Sequence, residues 1–321
     1  MTQPDLIVFL DQNTLPVPLK PLDVPHRWQS YPQTAPEQVI ERLQGATVAI
    51  TNKVPITREM LAALPELKLI AVAATGYNII DMAAAREYRV GVCNIRDYAI
   101  HGVAEHTLML LLALRRQLLV YRQRVQAGEW QNAPGFCLFA RTPAEAMHDL
   151  AGSRMAVIGS GALGQATAKL AQAFGMQTFF VERKGASSVR AGYLSWEAAL
   201  QTADVISLHC PLNEQTRNLI GAAELAQMKR SAIVLNTARG GLIDEAALLA
   251  ALQAGVIAGA GLDVLLTEPP RAGAPLLLAD LPNLIVTPHV AWASVETMQT
   301  LADQLIDNVA AFLRGEPRHL L

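Results

Sequence analysis

Cysteine is scarce in this chain, with Cys93, Cys137 and Cys210 the three in 321 residues, far apart and odd in number. That excludes a secreted disulfide framework, fits a reducing compartment and makes a cytoplasmic location the expectation. An excess of either charge is also missing, because 26 Lys and Arg stand against 28 Asp and Glu, a net charge of -2. With no long basic run to neutralise phosphates, nucleic acid is not an expected partner. Long hydrophobic runs are absent too. The longest, Leu108–Leu114, is too short to span a bilayer and ends in Arg115 and Arg116. The first residues show no basic stretch followed by an apolar one, so neither export nor a membrane span is expected. There is no internal repeat or low-complexity tract.

What is abundant is apolar side chain, 51% of residues against 17% charged, enough for a globular chain of two domains at ~150 residues each. Short apolar runs alternate with helical patterns: Leu6–Leu10, Pro36–Leu43, Thr47–Ile50, Thr57–Leu64, Leu67–Ala73, Ile79–Tyr88 and Val90–Ile95. This alternation predicts a parallel sheet with crossover helices. A single helical pattern then runs from His101 to Ala127, with Gly102 near its start, followed by an irregular stretch, Gly128–Gly152, that carries Trp130, Phe136 and Phe139. The alternation resumes from Met155 to Thr287, and a last helix covers Ser294–Leu313. The expected fold class is α/β, with two Rossmann-like lobes built on doubly wound parallel sheets.

The apolar run Met155–Ile158 leads into Gly159-Ser-Gly161-Ala162-Leu163-Gly164 and then a helix. This is GxGxxG between a strand and a helix. The first glycine permits a tight turn, the second lets a pyrophosphate approach the backbone, and the third lets helix and strand pack closely. The helix N-terminus supplies N–H groups to the phosphates. Glu182 follows Gly164 by 18 residues, where a carboxylate can take ribose hydroxyls and repel a 2′-phosphate, so NAD is favoured. Arg183 and Lys184 follow at once and could hold that phosphate if Glu182 turned away, so NADP stays open. A Walker A loop is excluded by Gln165 and Ala166, and a nucleophile elbow by Gly159 and Gly161 on either side of Ser160.

Three polar residues follow apolar runs near the carboxyl edge where ligands bind in open α/β sheets: Arg239, Glu268 and His289. Hydride transfer to a ketone leaves an oxygen that needs a proton, and histidine supplies one near neutral pH. A nearby carboxylate would orient the imidazole and favour its charged form. An arginine fork suits a 2-keto acid, holding carboxylate and carbonyl oxygen together. His101 and His106 lack an HExxH pattern and read as part of the helix start, so no metal site is expected.

Together these segments resemble the D-isomer-specific 2-hydroxyacid dehydrogenase family. The resemblance rests on GSGALG at 159–164, HCPLNEQTRNLI at 209–220, NTARGGLIDE at 236–245, GAGLDV at 259–264, EPP at 268–270 and TPHVAWAS at 287–294. It implies that Arg239, Glu268 and His289 are the catalytic trio. It also implies cofactor contacts from Gly159, Gly161, Ala162, Leu163, Gly164, Glu182, Arg183, His209, Pro211, Thr216, Thr237, Ala238, Asp263 and Ala291, with Asp263 holding the nicotinamide carboxamide. Substrate contacts would come from Asn52, Thr75, Gly76 and Tyr77, beside Arg239 and His289. The implied organisation is a substrate domain of residues 1–98 and 291–321 with a dinucleotide-binding domain, 99–290, inserted between, and a homodimer through the aromatic segment. Within the family, Arg86–Val92 and Leu301–Asn308 are nearest the glycerate dehydrogenase or hydroxypyruvate reductase branch. The implied activity is interconversion of a 2-keto acid and a D-2-hydroxy acid, most simply hydroxypyruvate and D-glycerate. A broader glyoxylate or 2-keto acid reductase, or a nicotinamide-sensing protein like the corepressors of this superfamily, are the alternative readings.

Overall fold

Uninterrupted runs of β-branched and aliphatic residues form strands buried on both faces, as a parallel sheet covered by helices requires. The computed structural model describes residues 4–271 and 273–321, and in it Val48–Thr51, Leu69–Val72, Val205–Leu208 and Ile233–Asn236 are buried at every position. The chain divides into two units. One comprises residues up to Tyr98 together with Ala293–Leu321, and the other is Ala99–Trp292.

The first unit holds β1 (Asp5–Phe9), β2 (His26–Ser30), β3 (Val48–Thr51), β4 (Leu69–Val72) and β5 (Gly91–Cys93). They form one parallel sheet in the order β2-β1-β3-β4-β5. The winding reverses between β1 and β3, and the carboxyl ends of strands at such a reversal leave a crevice for ligands. Helix Val295–Leu313 packs against β4. It starts where the Ser294 hydroxyl accepts the Thr297 N–H at 3.2 Å, an N-cap that satisfies one of the free donors of the first turn.

The second unit holds β6 (Arg154–Ile158), β7 (Gln177–Val181), β8 (Tyr193–Leu194), β9 (Val205–Leu208), β10 (Ile233–Asn236), β11 (Gly259–Leu262) and β12 (Leu284–Val286). Their order is β12-β11-β10-β9-β6-β7-β8, again all parallel, with the reversal between β6 and β9. This is the doubly wound α/β architecture expected from the alternation. Helix Ile100–Arg115 lies across β10 and β11. It comes close because β11 is glycine-rich: a Cβ on Gly261 would stand 3.0 Å from Leu110 Cβ. Among the described residues no helix is long and apolar enough to cross a membrane.

The single helix expected over His101–Ala127 is instead two, Ile100–Arg115 and Leu118–Gln126, separated at Gln117 with φ 53°. The reason is tertiary: the Arg115 carbonyl accepts the N–H of His148 at 3.0 Å. The irregular stretch after it contains a short 3-10 turn at Pro143–Glu145 and leaves Trp130, Phe136 and Phe139 exposed by 53%, 91% and 79%.

Candidate active site

The three loop glycines meet three different physical demands. Gly159 turns the chain at φ +110°, and a Cβ there would lie 2.5 Å from the His209 carbonyl oxygen. At Gly164 a Cβ would come within 2.0 Å of the Gly159 carbonyl oxygen, so only glycine lets helix Ala162–Ala173 start this close to β6. At Gly161 a Cβ would meet no atom within 4 Å among the described residues. Gly161 is therefore not required by packing of the chain itself. It leaves bare backbone facing open space beside a helix N-terminus, where the first N–H groups have no helical partner. That combination fits a dinucleotide pyrophosphate.

Around this loop, His209 follows β9 across the winding reversal, and its N–H donates to the Ile158 carbonyl at 2.7 Å. Its Nε2 lies 2.8 Å from the Ser207 hydroxyl, whereas its buried Nδ1 has no partner among the described residues. Burial pushes the imidazole down to about 4, so it is neutral at physiological pH. An orphaned ring nitrogen beside the glycine loop is a second feature that fits a bound polar cofactor. The Thr216 hydroxyl donates to the Pro211 carbonyl at 2.7 Å and accepts the Asn213 N–H at 2.8 Å, which folds the Pro211–Thr216 turn on itself. Thr237 is buried, its hydroxyl 2.9 Å from that of Thr107. Glu182 stands just past β7, and its carboxylate is gripped by Arg190 at 2.7 and 2.9 Å. Arg183 contributes only a backbone N–H to it, at 3.3 Å. Lys184 is drawn away to Glu224 at 2.8 Å.

Glu268 and His289 are brought together, with Nδ1 of His289 2.6 Å from Oε2 of Glu268. The other carboxylate oxygen, Oε1, accepts the Leu265 N–H at 2.8 Å. Arg239 joins this group through the backbone: a Cβ on its neighbour Gly240 would stand 1.9 Å from the Leu265 carbonyl oxygen. Only glycine lets the arginine turn press against the segment that holds Glu268. Asn236, buried at the end of β10, closes that turn by donating from Nδ2 to the Arg239 carbonyl at 2.9 Å and accepting the Ala238 N–H at 3.1 Å. The Arg239 side chain is exposed and donates to the Ala238 carbonyl at 2.7 Å.

Asp263, which the resemblance implies for the nicotinamide carboxamide, sits beneath the loop that carries His289. It is 1% exposed. Its Oδ1 accepts from the Thr287 hydroxyl at 2.6 Å and the Val290 N–H at 3.0 Å, and its Oδ2 accepts the Ala291 N–H at 2.8 Å. Its main-chain carbonyl accepts the His289 N–H at 2.8 Å. Through these donors Asp263 anchors the loop that carries His289. Its neighbour His106, which the sequence places merely on a helix, has Nε2 2.9 Å from the Thr287 hydroxyl and 3.5 Å from Asp263 Oδ1. Burial lowers the His106 pKa, with Asp263 opposing. The signal for both Asn236 and His106 was polarity in otherwise apolar elements.

In the first unit, Asn52 and Lys53 follow β3 at the winding reversal. Their N–H groups donate to the buried Asp11 carboxylate, Asn52 at 3.0 Å to Oδ1 and Lys53 at 2.6 Å to Oδ2. Burial raises the Asp11 pKa against the effect of these bonds. Past β4, the Thr75 hydroxyl donates to the Ile95 carbonyl at 2.9 Å and the Thr75 carbonyl accepts Asn94 Nδ2 at 2.8 Å. The backbone N–H groups of Thr75, Gly76 and Tyr77 have no protein acceptor among the described residues.

Fold and site together define a dehydrogenase of the nicotinamide dinucleotide class. The NAD binding domain of the D-isomer specific 2-hydroxyacid dehydrogenases matches residues 108–291. The chain is 49% identical over 316 residues to a glycerate dehydrogenase of Methylorubrum extorquens, covering 98% of each protein. It is 37% identical over 284 residues to a hydroxypyruvate reductase of Blautia hydrogenotrophica, covering 88% of this chain and 86% of that one. Among solved structures, the TT0316 protein of Thermus thermophilus superposes with a TM-score of 0.84 at 32% identity, over 98% of this chain and 99% of that one. The chain belongs to the D-isomer specific 2-hydroxyacid dehydrogenase family. It is an NAD-binding oxidoreductase that interconverts 2-keto and 2-hydroxy acids.

Proposed function

We propose that this enzyme reduces hydroxypyruvate to D-glycerate with NADH, with glyoxylate a weaker substrate. The observation that carries the reading is the 2.6 Å contact between His289 Nδ1 and Glu268 Oε2, in a chain 49% identical to a glycerate dehydrogenase. A carboxylate can only accept, so Nδ1 carries the hydrogen and Nε2 is the nitrogen left for the substrate. NADH, when bound, supplies the hydride. His289 gives its Nε2 proton to the keto oxygen as that oxygen gains charge, and Glu268 stabilises the cationic ring beforehand and holds its orientation. Arg239 offers planar donors to the substrate carboxylate and keto oxygen, and Asn236 fixes the turn from which it projects. Asn52 and the N–H groups of Thr75, Gly76 and Tyr77 are assigned to the substrate, and the unit bearing them is the substrate domain.

The proposal extends to a cytoplasmic homodimer. Trp130, Phe136 and Phe139 are too exposed for an irregular segment facing water, and clustered aromatics of this kind mark interfaces. Light scattering of a dilute solution should return twice the chain mass, and a monomer mass contradicts the dimer. The activity is tested by NADH absorbance on adding hydroxypyruvate. His289→Ala should lower turnover by about 100-fold or more, the scale of a positioned acid, and still bind NADH. No turnover of either keto acid with NADH or NADPH overturns the reading.

A further inference from the structure

A carboxylate after the second strand of a dinucleotide domain discriminates against a 2′-phosphate only while its charge is unbalanced. Here it is balanced. Arg190 donates from Nε to Glu182 Oε2 at 2.7 Å and from Nη2 to Oε1 at 2.9 Å, and its backbone N–H reaches Oε2 at 3.3 Å. The guanidinium carbon also lies 3.9 Å from the centroid of the Tyr193 ring, so a stacked aromatic and a two-point fork fix one planar cation. Tyr193 opens β8 and sits opposite Phe180 of β7, which ties this cation to the strand that Glu182 directly follows. The Arg190 side chain is nevertheless 58% exposed, against 9% for Glu182. The neighbouring cations are differently placed: Lys184 is held by Glu224 at 2.8 Å, and the Arg183 backbone N–H, not its side chain, reaches Glu182.

We propose that Arg190 is the residue that sets the choice between NADH and NADPH, neutralising Glu182 and presenting its remaining donors to a 2′-phosphate. This rests on the dinucleotide reading of Gly159–Gly164 and Glu182. A guanidinium has five N–H donors, and the fork with Glu182 uses two. The exposed remainder accepts a phosphate without first breaking the pair. The chain thereby tolerates the phosphorylated cofactor at a position where an acidic residue alone would reject it.

The test is calorimetric titration of the full chain, without substrate, with NADH and NADPH and with the fragments AMP and adenosine 2′,5′-bisphosphate. In R190A the ratio of NADPH to NADH dissociation constants should rise by about tenfold or more, and the bisphosphate-to-AMP ratio should rise with it, the scale of a charge-assisted fork. R190K keeps the charge without the fork and should fall between. E182Q should lower the ratio when Arg190 is present, and the E182Q/R190A double variant should lose most of that gain, a non-additivity that shared recognition requires. If both dinucleotides bind and the ratios ignore R190A, or if the E182Q gain survives in the double variant, Arg190 has no such role. If neither dinucleotide binds the parent protein, the cofactor reading falls together with the proposal.

Discussion

Replacing Gly161 by alanine separates folding from cofactor binding. The backbone there has φ -72° and ψ -177°, an extended conformation that any L-residue adopts, and the new Cβ meets no atom within 4 Å. The fold meets no clash, and the gain of about 0.4–1 kcal/mol from a less free unfolded chain is offset by alanine's poorer fit at this helix N-cap, so stability should stay within about 1 kcal/mol of the parent. NADH affinity should instead fall by about tenfold or more, a loss of about 1.4 kcal/mol or greater, because the methyl group enters the space through which a pyrophosphate approaches the backbone. Gly164→Ala is the contrast. Its Cβ would stand 2.0 Å from the Gly159 carbonyl oxygen, and moving backbone to relieve such an overlap costs about 1–3 kcal/mol or more. Urea unfolding without cofactor, paired with fluorescence titration of NADH, reads both quantities. The reasoning fails if Gly161→Ala binds NADH as the parent does, or if it loses as much stability as Gly164→Ala.

Asp263→Asn keeps the shape but sets an amide donor against loop donors now facing a carboxylate; the protein should lose about 1–3 kcal/mol in urea unfolding and turn over more slowly. Glu268→Gln should lower turnover of hydroxypyruvate substantially while leaving the NADH dissociation constant near that of the parent, and an unchanged rate would remove Glu268 from the chemistry. His209 gives a pH dependence of stability. Its pKa lies at about 4 in the fold against an ordinary 6.5, so on acidification the unfolded chain takes up the proton first. The stabilisation is complete above the ordinary value and is lost as pH falls towards the folded one, by at most about 3 kcal/mol. His209→Gln should flatten that slope between pH 6.5 and 4 in urea titrations, and an unaltered slope would mean that other groups carry it.

The dinucleotide loop was legible because Gly159 and Gly164 answer steric demands of the backbone, and the spacing of all three glycines between a strand and a helix is itself a mark in the sequence. Glu268 and His289 were legible as residue types following apolar runs, although only the fold brings residues so far apart to 2.6 Å. Edge elements were not. Strand β2, His26–Ser30, is mostly polar, and β8 has two residues, so neither shows the apolar run that a buried strand must have. The helix break at Gln117 carries no glycine or proline and depends on a hydrogen bond from His148. Glu182 was recognisable as an acidic residue at the right spacing, but the cation that pairs with it, Arg190, reaches back across a loop with no periodicity to read. The bonds by which Asp263 also holds the loop, from Thr287, Val290 and Ala291, leave no pattern in the sequence.

That loop places His289 in a backbone conformation that most non-glycine residues avoid. His289 has φ 56°, in the left-handed region that glycine adopts without cost and other residues adopt at a cost of about 1–2 kcal/mol. The surrounding bonds hold it there: its N–H donates to the Asp263 carbonyl at 2.8 Å, its carbonyl accepts the Trp292 indole N–H at 3.0 Å, and its ring meets Glu268 at 2.6 Å. Glycine would suit the backbone, but only an imidazole suits the proton transfer proposed for His289, and on that proposal function opposes stability. Comparing His289→Gly with His289→Ala isolates the backbone contribution, since both remove the ring and its contact with Glu268. The glycine variant should be the more stable of the two by about 1 kcal/mol in urea unfolding, with turnover lowered to the same extent in both. An alanine variant as stable as the glycine variant would mean that the loop relaxes out of the left-handed conformation once the ring is gone. In that case the His289–Glu268 contact, rather than Asp263, would be what imposes it.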